Sequence, residues 1–113
     1  MKAKVTRAHT ATYQDPIQGR AGDPVTIGKP DPDNPDWVWC KAGDGREGWV
    51  QVTFLGDGEL SRDYDATELT VGFGDELRLI EERSGWWWCE TAGGLLGWVP
   101  SANVAAGPVQ AWP

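Results

Sequence analysis

Three side-chain types in this 113-residue sequence could carry chemistry: one histidine, two cysteines and seventeen carboxylates. His9 stands alone, which excludes a histidine-pair metal site and any serine–histidine arrangement built on a second histidine. A Cys–His nucleophile pair requires His9 to reach Cys40 or Cys89. Both cysteines read instead as small buried hydrophobes, two separate thiols rather than a disulfide or a reactive pair. Asp63, Asp65, Glu68, Glu81 and Glu82 fall at expected loops and strand ends, where a solvated charged rim is the ordinary reading. Gly43-Asp44-Gly45 and Gly93-Gly94 are hairpin signals, because no helix follows to lend its N-terminus to a phosphate. No enzyme activity, cofactor or metal is expected.

The chain carries ten Lys/Arg against seventeen Asp/Glu, a net charge of -7. That balance argues against nucleic acid and anionic membrane as partners, since both demand a concentrated basic face. No apolar run reaches the ~18 residues of a membrane span, and the first fifteen residues lack a signal-peptide core. The reading is therefore cytoplasmic. The compositional excess is tryptophan, with eight Trp beside 15 Gly and 8 Pro.

The tryptophans follow an internal repeat. Trp37-Val38-Trp39-Cys40 and Gly48-Trp49-Val50 recur as Trp86-Trp87-Trp88-Cys89 and Gly97-Trp98-Val99. Ala21-Gly22-Asp23-Pro24-Val25-Thr26-Ile27 matches Phe73-Gly74-Asp75-Glu76-Leu77-Arg78-Leu79, and Val5-Thr6-Arg7-Ala8-His9 lies on Leu60-Ser61-Arg62-Asp63-Tyr64. Within each copy, alternating segments such as Glu76-Leu77-Arg78-Leu79 read as half-buried strands, with turns at Gly74-Asp75, Ser84-Gly85 and Ala92-Gly93-Gly94. No window of ten residues holds a 3.6 period. The prediction is an all-β protein of two domains, residues 1–57 and 58–106, followed by a tail, 107–113. Leu55-Gly56-Asp57-Gly58-Glu59 reads as the short link between them, and so short a link predicts that the two copies pack together, through part of their extra tryptophan.

The second copy resembles a variant SH3 domain. Arg62-Asp63-Tyr64-Asp65-Ala66 is similar to the family's ALYDY stretch, and Glu68-Leu69-Thr70-Val71 with Gly74-Asp75 to its "ELSF..GD" signature. Trp86-Trp87 resembles the paired tryptophans, Gly97-Trp98-Val99-Pro100 the "GxxP" turn and Ser101-Ala102-Asn103-Val104 the closing "SNYV". The first copy resembles the family more weakly, through the repeat. The resemblance implies two SH3-like, partly open five-stranded β-barrels in tandem, each with an aromatic groove for extended peptides. Proline-rich segments suit such grooves because they are already extended and lose little entropy on docking.

Carried over residue by residue, the groove positions of the second copy are Tyr64, Trp86 and Pro100. The first copy keeps aromatic character at Trp37 and Phe54. Arg62 and Arg7 replace the first tyrosine of ALYDY, either to meet a carboxylate or to lie over an aromatic ring. Asn103 replaces the tyrosine of "SNYV". These departures imply a ligand other than the ordinary PxxP. Trp39, Trp49, Trp88 and Trp98 read as packing or inter-domain residues, and Trp112 has no counterpart in the repeat.

Residues 1–57 hold seven Lys/Arg against eight acids, and residues 58–113 three against nine. The second domain is therefore expected to take a neutral or basic protein or peptide segment. Three readings follow. The first is a non-enzymatic protein- or peptide-interaction module with partly degenerate SH3-like domains. The second is a targeting module for cell-wall peptide or glycan, and the third a structural subunit that assembles with itself or a partner through Trp-rich faces.

Overall fold

Glycine followed by aspartate fixes the same turn twice. Gly22 and Gly74 sit at φ +90 and +86, where a side chain would be strained. The next aspartate closes each turn with its carboxylate: Asp23 Oδ2 accepts from Arg20 N and Asp75 Oδ2 from Gly72 N, both at 2.8 Å. Each turn also receives a chain segment running alongside it, and the segments are the surprise. Val5 N donates to Asp75 O at 2.9 Å and Gly74 N to Val5 O at 2.8 Å. Leu60 N donates to Asp23 O at 2.9 Å and Gly22 N to Leu60 O at 2.7 Å. Each copy's leading arm is thus built into the other copy's barrel.

The computed structural model describes residues 1–12 and 15–106. It divides into two units, one from Met1–Thr12 and Glu68–Pro113, the other from Tyr13–Thr67. The sequence copies at 1–57 and 58–106 are therefore not the spatial units: the chain changes unit near residue 13 and again at 67–68. Leu55–Glu59, expected as the link between domains, is instead a turn inside the second unit. Gly56 N donates to Glu59 O at 2.7 Å, Leu55 bridges Leu60, and Gly58 adopts φ +75. This tight turn folds the next arm straight back onto the barrel it has just left.

The first unit, the arm-one barrel, holds an antiparallel sheet. Its strands are β1 (Lys2–Val5), β7 (Glu76–Arg83), β8 (Trp86–Thr91), β9 (Leu96–Pro100) and β10 (Val104–Ala106), in the order β10-β1-β7-β8-β9. Alternation decides its register: Ala3 and Val5 point inward while Lys2 and Lys4 face water. Ala3, Val5, Leu69, Val71, Leu77, Leu79, Cys89 and Val99 form the core, with Trp87 and Val104 against it. The other unit, the arm-two barrel, pairs β3 (Val25–Pro30), β4 (Trp37–Ala42) and β5 (Glu47–Gln51) in one sheet. A ribbon of β2 (Gln18–Gly19) and β6 (Tyr64–Asp65) completes it, with Gly19 opposite Tyr64. The predicted all-β architecture of SH3-like barrels is what the strands build. Tryptophans at matching positions pair across strands within each unit: Trp39–Trp49 at 5.1 Å and Trp88–Trp98 at 5.3 Å between ring centroids. Trp112 and the tail 107–113 lie outside the described residues.

The β7–β8 hairpin turns on Ser84-Gly85, with φ 47 and 90. Two consecutive left-handed residues define the turn that favours Asn-Gly, and a serine there carries a steric cost of roughly 1 kcal/mol. Ser84→Asn is therefore expected to raise the midpoint of thermal unfolding by about 4–8 °C. An unchanged or lower midpoint in a melting curve would count against the assigned turn.

Candidate functional site

Register builds the candidate site of the arm-one barrel. On β8 and β9, Trp86 lies opposite Pro100, and both side chains are half-buried. Arm one adds His9, tied by His9 N to Val71 O at 3.0 Å and Val71 N to His9 O at 2.8 Å. The His9 ring stands edge-on to Trp86, with centroids 5.6 Å apart and planes at 78°. His9 Nε2 meets Glu68 Oε1 at 2.8 Å. Thr12 N and Oγ1 both donate to the same oxygen at 3.4 Å. Next along the chain from Pro100, Ser101 Oγ donates to Glu82 at 2.6 Å. A flat aromatic wall, a proline and the His9–Glu68 pair thus lie together, with Arg83 opposite Trp86 on β7.

Asn103 explains how the arm is held there. It is buried, and its Nδ2 donates to the carbonyls of both Arg7 and Ala8 at 3.2 Å. The family pattern has a tyrosine at this position. Here the position anchors the incoming arm instead of walling a groove.

The matching surface of the arm-two barrel is closed. Trp37, Phe54 and Tyr64 are only 7%, 3% and 5% exposed. Phe54 and Tyr64 pack edge to face at 5.0 Å, the Arg62 guanidinium covers the Phe54 ring at 4.4 Å, and the Tyr64 hydroxyl donates to Trp49 O at 2.7 Å. Opposite Trp37 stands Gln51 rather than a proline, and its side chain accepts from Thr53 N at 2.8 Å and from the Thr53 hydroxyl. Ring–ring packing and a satisfied phenol are features of a core.

The arm exchange sorts the sequence-derived candidates anew. Tyr64, grouped by sequence with Trp86 and Pro100, sits instead with Phe54 and Arg62, in the barrel that also holds Trp37. Arg7, from the first copy, sits in the barrel of Trp86 and Pro100. His9 and Glu68 were not among the sequence-derived ligand contacts. The alignment of His9 with Tyr64 suggests a groove-edge or packing role, but only the exchange shows which barrel it serves.

Charge is redistributed as well. The arm-one barrel carries five Lys/Arg against six carboxylates, and the arm-two barrel five against eleven. The acidity that the sequence assigns to the second copy therefore belongs to the barrel built mainly from the first.

Cys40 and Cys89 are both free and buried. Burial pushes the Cys89 thiol up to about 11 and raises Cys40, the latter opposed in part by a hydrogen bond from the Gly28 backbone. The unfolded thiol deprotonates near 9.0, before the folded one, so the stability Cys89 contributes is intact below pH 9.0 and lost as pH rises toward about 11. Iodoacetamide at pH 8 is expected to leave both native thiols unmodified while labelling the unfolded chain. Rapid native labelling by mass spectrometry would contradict this burial.

The variant SH3 domain family matches twice, over residues 2–55 and 60–106. No curated protein and no solved structure matches the chain. Two matches, two barrels with the same turn bonds and paired tryptophans at matching positions give one conclusion: the chain belongs to the variant SH3 domain family, a family of protein-interaction modules, and carries two copies of its domain.

Proposed function

We propose that the protein binds an extended peptide segment through one groove, on the arm-one barrel, lined by Trp86, Pro100 and His9. The observation that carries this reading is the contrast between the barrels. Trp86 and Pro100 are half-buried, whereas Trp37, Phe54 and Tyr64 are packed away. Glu68 reaches the groove through His9, which favours a neutral or basic segment with prolines to lie on the indole. The second barrel acts as a scaffold that supplies no groove of its own.

Titration with proline-rich peptides, neutral and basic, followed by NMR of the indole N–H signals tests this. Saturable shifts are expected at Trp86 and the His9 ring, with Trp37 and Tyr64 unmoved. Shifts centred on Trp37 and Tyr64, or binding only to purified cell wall, would overturn it.

A further inference from the structure

We propose that the free edge of β3, in the arm-two barrel, takes an extended basic segment of a partner protein as an added strand. The two barrels treat the same strand differently. Leu79 on β7 and Ile27 on β3 hold the same position, each opposite the cysteine of the next strand. Leu79 is 4% exposed and Ile27 44%. The reason lies in the arms. Arm one runs on past Ala3, so that Leu79 N donates to Met1 O at 2.6 Å. Arm two is cut short by the Gly56–Glu59 turn: Gly58 O takes Val25 N at 3.0 Å, Gly56 turns back to Glu59, and Ile27 is left 44% exposed.

The backbone at Ile27 points outward, away from β4. In the Val25–Ala42 pair, Ala42 N is used on Arg46 O and Val25 N on Gly58 O, so neither bonds across the pair. Hydrogen bonding in antiparallel strands alternates with period two, and the Ile27–Cys40 pair repeats that pattern. Ile27 therefore presents its N–H and C=O at a sheet edge beside an exposed apolar side chain, the arrangement that accepts strand addition. A bulge between Ile27 and Pro30 limits the added strand to about three residues.

The occupant's chemistry follows from the strand that fills this place in the other barrel. β1 is Lys-Ala-Lys-Val, with small apolar residues inward and lysines outward. Around the β3 edge the charge suits lysines better still. Asp57 and Glu59 flank Gly58, Asp31, Asp33 and Asp36 follow the strand, and Lys29 is the one cation on β3. The whole barrel has eleven carboxylates against five cations. An acidic surface of this kind selects a cationic strand and weakens with salt.

The test is an NMR titration of the full chain with acetyl-Met-Lys-Ala-Lys-Val-amide and its charge-reversed partner, acetyl-Met-Glu-Ala-Glu-Val-amide. The basic peptide is expected to shift the amides of Thr26–Lys29 saturably and to slow exchange of the Ile27 N–H at least tenfold. The acidic peptide binds at least tenfold more weakly, and Ile27→Lys, at an exposed position, loses the basic peptide without a change in thermal midpoint. Equal binding of both peptides, shifts centred on Leu77 and Leu79 through displacement of the native arm, or shifts centred on Trp86 would each overturn the proposal.

Discussion

Val5→Asp, a substitution in the first sequence copy, is expected to unfold the barrel of the second. Val5 is 1% exposed in the core that also holds Leu79, Cys89 and Val99. Burying an unpaired carboxylate there costs several kcal/mol, a large part of what a barrel this small possesses. Val5→Ala costs on the order of 2 kcal/mol by lost burial and cavity. The two cysteines are built-in reporters, one in each unit. Val5→Asp exposes Cys89 to alkylation before Cys40, and Leu60→Asp, in the second copy, exposes Cys40 before Cys89. Peptide mass mapping after a brief iodoacetamide pulse reads both. The reverse pattern, with each arm protecting the cysteine of its own copy, would show that the arms are not exchanged.

Trp86→Ala is expected to weaken peptide binding by about thirtyfold or more and to leave the fold in place. Central aromatic anchors at interfaces commonly contribute ~2 kcal/mol or more to binding. Trp86 is half-buried on the outer face of its sheet, and the Leu77, Leu79, Cys89 and Val99 core does not include it. The stability loss should stay near 1 kcal/mol, within the range of surface changes that remove some packing. Tyr64→Ala is the contrasting variant. It removes a buried ring that packs on Phe54 and bonds Trp49 O, so it costs roughly 3–5 kcal/mol while the remaining folded protein binds normally. Calorimetric titration beside thermal melts separates the two. A folded Tyr64→Ala protein without affinity, or a Trp86→Ala protein that binds but melts far lower, would move the groove to the other barrel.

Local structure was legible in the residues because turns and strands are decided locally. Gly74-Asp75, Ser84-Gly85 and Ala92-Gly93-Gly94 each mark a turn that the backbone makes, and Glu76-Leu77-Arg78-Leu79 alternates as its strand does. Trp86 and Pro100, grouped with Tyr64 through the family resemblance, stand opposite each other because both belong to one continuous hairpin. Arm placement was not legible. Val5 and Leu60 make equivalent bonds to equivalent Asp and Gly residues, so alternation and turn chemistry fit either pairing equally well. What distinguishes them is the Leu55–Leu60 turn, which holds arm two on the barrel it has just left. The candidate site inherits the same ambiguity. Its β-hairpin half could be read from the sequence, while the half supplied by an arm was exchanged, His9 for Tyr64.

The most direct measurement is a set of backbone NOE contacts across the two Gly-Asp turns. Exchanged arms predict contacts from Val5 to Gly74 and Asp75, and from Leu60 to Gly22 and Asp23. Contacts from Val5 to Gly22 and Asp23, with Leu60 on Gly74 and Asp75, would contradict the account.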